Sequence, residues 1–208
     1  MRRLNLAGRH VTNYLVRLMM LRGYAFNSSA DFETCREIKE AMCFASIDPK
    51  KDKKLALETC LLDREYTLPD KTTIRIGSER FQAVECMFNP ELTGVQAPGI
   101  VEMLFDSIKS CEIDLFLPLV QNIILTGGTT MFPGLSSRIE KDLKDIMTER
   151  KYGGDASRVK KTGLTVHDPP RRKHSVFIGA SFLAKRAPPQ QWITKAEYEE
   201  KGDKVFFG

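Results

Sequence analysis

Apolar residues recur at helical spacing through the first part of the chain. Val11, Tyr14, Leu15, Leu18 and Met19 form one stripe, with Arg22 in the last turn and Gly23 placed as a left-handed stop. This predicts a helix with one core face. A second helix is predicted to begin near Ser29 or Asp31, residue types that favour caps, with Phe32, Cys35, Ile38 and Met42 turned inward and an end ahead of Pro49. The charged run Lys50-Lys51-Asp52-Lys53-Lys54 reads as a solvated loop or helix start, because clustered charge resists burial. The period then changes. Tyr66 and Leu68, a Pro69-Asp70-Lys71 turn, and Ile74 and Ile76 at alternate positions predict a β-hairpin.

Gly94 to Gly99, containing Pro98, is the clearest internal boundary, after which Ile100, Leu104 and Ile108 describe another helix. The stretch Asn122 to Gly134 follows and carries the most information. Ile123, Ile124 and Leu125 suit a strand buried on both faces, Gly127 and Gly128 permit positive φ and close approach of a ligand, and Pro133 suits the first turn of a helix. Such a crevice tolerates an anion or a base. The same residues equally describe a tight strand-to-helix turn that binds nothing. A long helix through Leu135, Ile139, Leu143 and Ile146 is expected to end around Tyr152-Gly153-Gly154. Beyond it come a polar segment over 155–162, a short strand over 164–166, the Pro169-Pro170 break and a small-residue-rich apolar segment over 176–184. At the start, residues 2–8 alternate like a strand that ends in glycine. Alternating helices and strands imply an α/β or α+β protein with a mostly covered sheet.

Composition narrows the classes. The 208 residues, 42% hydrophobic and 28% charged, fit one large domain or two small lobes. Thirty-two basic against 27 acidic side chains leave a charge of +5, with no interleaving of basic and aromatic residues, so nucleic acid is not an expected partner. The five cysteines are odd in number and contain no C-x-x-C pair, which argues for reduced thiols and against a disulfide framework or structural zinc. No leader and no run of apolar residues long enough to span a membrane is evident, so neither secretion nor membrane insertion is expected, and the Asn27-Ser28-Ser29 sequon reads as incidental. His10, His167 and His174 are scattered and suggest no nucleophile and base pair. Arg36, Lys39 and Glu40 lie at i, i+3 and i+4, so one helical face can present two donors and a carboxylate. The plainer reading of Arg36 and Glu40 is a surface ion pair worth about 0.3 to 0.5 kcal/mol.

In order and spacing, several segments strongly resemble the C-terminal half of the actin family. They are Arg3-Leu4-Asn5-Leu6-Ala7-Gly8-Arg9, Arg22-Gly23-Tyr24, Ile38-Lys39-Glu40, Gly77-Ser78-Glu79-Arg80-Phe81, Thr126-Gly127-Gly128-Thr129-Thr130-Met131, and Tyr198. Within that family, Lys54 to Thr59, Pro169 to His174 and the extra length between Glu149 and Lys161 resemble an actin-related protein more than conventional actin.

The resemblance implies an α/β chain with the actin-like ATPase-domain fold: one ribonuclease H-like lobe plus the C-terminal segment of the other. Residues 7–95 would be a small outer subdomain, residues 1–6 with 96–174 the inner nucleotide-side subdomain, and residues 175–208 a segment crossing to the other lobe. Val176, Phe177, Ile178 and Phe182 would then expose an apolar patch wherever that lobe is lacking. It also implies ATP or ADP with Mg in the cleft, held here by half a site: Gly8, Arg36, Lys39 and Glu40 on one side, with Glu40 at the ribose and base. Gly127 and Gly128 would form the adenosine turn, continued by Thr129 and Thr130, with Met131 and Phe132 lining the base and Lys173 beside it. On composition alone, Lys173 reads as part of a solvated basic cluster.

The chain departs from the family pattern at Asn5 and His10, which replace aspartates, at Phe132, which replaces tyrosine, and at Ala180, which replaces glycine. The family's phosphate loops and water-positioning glutamine belong to a part that would lie upstream of Met1, so no catalytic or metal-ligating residue is assigned and independent enzymatic activity is not expected. Implied partners are actin-related protein 3, the other subunits of the complex that nucleates branched filaments, and actin, in the cytoplasmic actin cytoskeleton. Two alternatives are a fragment of a conventional actin-like filament protein and an ATPase of the wider actin, chaperone and sugar-kinase group.

Overall fold

A computed structural model describes residues 1–206. Helix α1, Gly8–Leu21, buries Val11, Leu15 and Met19 completely and stops at Gly23, whose φ is 101°. The predicted strand over residues 2–8 does not form: no neighbouring strand pairs with it among the described residues, and Gly8 opens the helix instead. A strand without a neighbour leaves its backbone groups to water and gains nothing over coil.

Helix α2, Ser29–Met42, starts in a capping box one turn ahead of Asp31. The Ser28 hydroxyl accepts from the Asp31 amide at 3.2 Å, and the Asp31 carboxylate accepts from the Ser28 amide at 2.8 Å. Cys35 and Ile38 are buried against α1. The lysine run folds as helix α3, Pro49–Glu58, capped by Asp48 and burying none of its residues. Strands β1, Arg64–Thr67, and β2, Thr73–Ile76, pair antiparallel with Tyr66 opposite Ile74, as the alternation predicts. Ile74 and Ile76 point into the core, and Lys71 takes the positive φ of the turn at 69°. Helix α4, Glu79–Glu85, then packs Phe81, Ala83 and Val84 inward beside α1.

Helix α5, Ile100–Lys109, buries Val101, Phe105 and Ile108, leaving Ile100 and Leu104 only partly covered. The buried stripe is therefore rotated by one residue at its first two positions. Both stripes have helical spacing, and the one carrying the larger Phe105 removes more apolar surface from water. Helix α6, Phe116–Gln121, leads into strand β3, Ile123–Ile124. Helix α7, Leu135–Arg150, buries Leu135, Ile139, Leu143 and Met147, and the polar stretch after it forms helix α8, Ala156–Lys161, capped by Asp155. Strand β4, Val166–His167, returns parallel to β3, with Ile123 opposite Val166.

Two expectations about this region are corrected. Ile123 is buried, but Ile124 is 68% exposed, because among the described residues this sheet has two short strands and one face lacks a covering layer. Pro133 stands outside α7: Gly134, at φ 79°, precedes the helix, and the Pro133 carbonyl accepts from the Ala45 amide at 2.8 Å. Helix α9, Ser175–Arg186, buries none of its residues, and helix α10, Lys195–Lys201, begins at a Thr194 capping box. No helix among the described residues is long and apolar enough to cross a membrane.

Candidate functional site

The C-terminal end of α2, the start of α1, the turn after β3 and the short helical turn Arg172–His174 enclose a cavity of about 340 Å³. Gly8, Lys39, Glu40, Gly128, Thr129, Met131, Phe132 and Lys173 line it, all of them residues singled out from the sequence. Arg36, Gly127 and Thr130 are not in its wall.

Lys39 is 8% exposed and its ammonium turns toward α1, donating to the Gly8 carbonyl at 3.3 Å and to the Thr12 hydroxyl at 3.1 Å. Burial lowers its pKa, since desolvation disfavours the charged form. Arg36 faces outward and bridges Glu33 and Glu40, its Nη1 lying 2.8 Å from Glu40 Oε1. It thus takes the ion-pair role and acts on the cavity only by steadying the Glu40 carboxylate at the rim. The two donors and the carboxylate do not present together: α2 sends the lysine inward, the arginine outward and the glutamate to the edge.

Across the cavity, Gly127 has φ 95° and ψ 160°, a region essentially closed to side chains. Its carbonyl accepts from the Thr130 amide at 3.1 Å and hydroxyl at 2.7 Å, closing the turn that aims Gly128 and Thr129 at the cavity. A Cβ on Gly128 would sit 4.0 Å from the Lys173 side chain, and one on Gly8 would sit 3.2 Å from the Thr129 hydroxyl. Glycine at position 8 therefore lets α1 approach the turn closely. Phe132, 7% exposed, and Met131, 39% exposed, form the apolar part of the wall.

Sequence reasoning missed Arg172. Its buried guanidinium donates to the carbonyls of Thr130, Asp168 and Pro169, and its own carbonyl accepts from the Gly127 amide at 2.9 Å. Nothing in the Arg171-Arg172-Lys173 string distinguishes the inward residue from its exposed neighbours. With a carboxylate at one rim, a lysine at the other and an apolar floor between, the cavity can hold a flat heteroaromatic group bearing hydroxyls. Among the described residues, no group of three His, Cys, Asp or Glu side chains could hold a metal ion.

The order of these elements, mixed helix and sheet around a glycine turn, is consistent with a partial actin-like ATPase fold. Residues 1–206 match the family model for actin, and the chain belongs to the actin family. It is similar to actin-related protein 2 of Oryza sativa subsp. indica, with 49% identity over 203 residues, covering 97% of this chain and 52% of that protein. It is likewise 48% identical over 206 residues to actin-related protein 2 of Acanthamoeba castellanii, covering 98% of this chain and 53% of the relative. The chain therefore spans about half the length of the curated relatives it matches.

Proposed function

We propose that this actin-related protein 2-like chain serves as a nucleotide-responsive subunit of the complex that nucleates branched actin filaments, with actin-related protein 3, the remaining subunits and actin as partners, in the cytoplasmic cytoskeleton. The cavity between α2 and the glycine turn takes the nucleoside of ATP or ADP, with Mg carried on the phosphates. The observation that carries this reading is the convergence of Glu40, Phe132, Met131, Gly128 and Lys173 on one cavity. Similarity to actin-related protein 2 supports the choice of assembly.

Each wall residue has a chemical task in this reading. Glu40 accepts hydrogen bonds from ribose hydroxyls, while Phe132 and Met131 cover a face of the base. Gly128 lets the ligand lie against backbone, and Lys173 supplies a donor at the base edge. In this reading the chain's part is to bind the nucleoside through Glu40 and Lys173. A nucleotide shifts a conformational equilibrium only by binding one state better than another, and contacts from two walls of a cleft provide that difference.

Two measurements test the proposal. Tagged chain purified from its own cells should bring down actin-related protein 3; its consistent absence overturns the assembly reading. Photolabelling with an azido-purine analogue of ATP should mark Met131, Phe132 or Lys173, and ATP should compete. Diffuse labelling that ATP does not suppress overturns the nucleotide reading.

A further inference from the structure

The glycine turn depends on a residue that does not itself line the cavity. Arg172 is 9% exposed, and no carboxylate among the described residues pairs with it. Its guanidinium is committed to backbone carbonyls. Nε and Nη2 reach the Thr130 carbonyl at 3.2 and 3.0 Å, and Nη1 reaches those of Asp168 and Pro169 at 3.0 and 3.3 Å. Its own carbonyl accepts from the Gly127 amide at 2.9 Å, the Ser175 hydroxyl at 3.0 Å and the Thr126 hydroxyl at 3.3 Å. One residue therefore grips both ends of the turn, Thr126 and Gly127 through its carbonyl and Thr130 through its side chain.

A buried charge without a counter-charge is a poor way to gain stability alone, because desolvating a guanidinium costs more than desolvating a methionine of similar length. What the arrangement supplies is geometry. The planar fork spans two segments at once and fixes their separation. Lys173 follows directly in the chain, so the same anchor sets where the basic wall of the cavity stands relative to Gly128.

We propose that Arg172 is the positioning residue of the nucleoside cavity, holding the Gly127-to-Met131 turn and Lys173 at the separation a purine nucleoside requires. This rests on the nucleotide reading above. A lysine in its place has donors but no planar fork, so it can serve the Thr130 carbonyl or the Asp168 and Pro169 carbonyls but not both.

The test measures, in the full chain, the concentration of azido-purine ATP analogue giving half-maximal labelling of the cavity wall, well below each variant's melting temperature. Arg172→Met should raise that concentration at least about tenfold, comparable to losing one hydrogen bond to a charged group. Arg172→Lys should fall between Arg172→Met and the unaltered chain. Ile139→Val, a core change at a residue that does not line the cavity, should lower the melting temperature and leave the half-maximal concentration unchanged. If Arg172→Met labels like the unaltered chain, the positioning role is overturned and the nucleotide reading stands. If Arg172→Met does not fold, Arg172→Lys decides, and unaltered labelling in that variant likewise overturns the role. If the unaltered chain is not labelled at the cavity, the nucleotide reading itself falls and takes this inference with it.

Discussion

Arg138 of α7 meets Glu85 of α4 as a two-pronged pair, Nη2 to Oε1 at 2.9 Å and Nη1 to Oε2 at 3.0 Å. The same guanidinium reaches Asp142 at 2.6 Å and the Ser46 carbonyl at 2.7 Å, and it lies 4.3 Å from the centre of the Phe88 ring. It thereby ties the chain leaving α2 to the helix that follows the glycine turn.

Arg138→Met should accordingly destabilise the fold. Removing one partner of a buried pair costs about 3 to 5 kcal/mol, and partial solvent access at Glu85 and Asp142 reduces this to roughly 2 to 3 kcal/mol. Urea unfolding measures the loss. Adding Glu85→Gln to Arg138→Met should cost much less than Glu85→Gln alone, and strict additivity would show that the two side chains are not coupled.

Alanine at Gly127 and at Gly134 should act by different routes. At Gly127 a Cβ meets nothing within 4 Å, so the cost is backbone strain, about 1 to 3 kcal/mol, concentrated in the turn. At Gly134 a Cβ would also sit 2.6 Å from the Ala45 carbonyl oxygen, so the loss should be larger and should loosen the join between α7 and the α2–α3 connection. Equal melting temperatures for the two variants would contradict this.

Alkaline pH should weaken the fold through its buried thiols. Burial pushes Cys35, Cys43 and Cys86 from the ordinary 9.0 up to about 12. Groups raised in this way contribute stability that is complete below pH 9.0 and is lost as pH climbs toward about 12. Tyr14 and Tyr66, whose phenols desolvation also raises, add to the trend, while Lys39 and Lys151 oppose it, because their lowered pKa makes the neutral amine the form the fold prefers. Three thiols and two phenols outweigh two amines, so the urea midpoint should fall across this window, and Cys43→Ala should flatten the decline. A disulfide-exchange reagent should modify the exposed Cys60 and Cys111 long before the buried three.

Acid should undo the start of α2. Hydrogen bonds from the Ser28 amide and hydroxyl, with the Asn27 amide contributing less, hold the Asp31 carboxyl below its ordinary 3.8. A lowered carboxyl contributes stability that is present above the unfolded value and lost as pH falls through the folded one. The unaltered chain should therefore be more stable than Asp31→Asn near neutrality, and the gap should close below pH 3.8. A gap independent of pH would mean the carboxylate charge plays no part in the cap.

Helix α9 leaves Val176, Phe177, Phe182 and Leu183 between 60% and 77% exposed. Such a patch should bind an apolar fluorescent dye and favour self-association. Replacing Phe177 and Phe182 by serine should lower dye fluorescence and raise solubility while leaving the melting temperature nearly unchanged, since neither ring is in the core. A large drop in melting temperature would show that the rings are buried in solution.

Much of the fold is legible where one periodicity dominates. The stripe of α1 and the alternation of Ile74 and Ile76 each admit one burial pattern, and the structure buries those faces. In α7 Leu135, Ile139 and Leu143 are buried as expected, but Met147 takes the last core position and Ile146 is only partly covered. At α5 two stripes of helical spacing that share Ile108 compete, and packing selects the one with Phe105. The N-terminal alternation is a clear local signal, but no strand among the described residues pairs with it. Asp155 is an ordinary cap residue, yet a six-residue helix as polar as α8 has no stripe long enough to reveal it.

For the site, the residue types and the glycine turn are a property of the sequence, because the φ of 95° and ψ of 160° at Gly127 and the close approach of α1 at Gly8 favour glycine over any side chain. The actin-family order of motifs is likewise written in the chain. Tertiary structure alone decided that Lys39 turns inward to Gly8 and Thr12 while Arg36, three residues earlier, turns out to Glu33 and Glu40. It alone separated buried Arg172 from its exposed neighbours Arg171 and Lys173. The direction of a long cationic side chain depends on which carbonyls and carboxylates other segments bring within reach, and those distances exist only once the chain has folded.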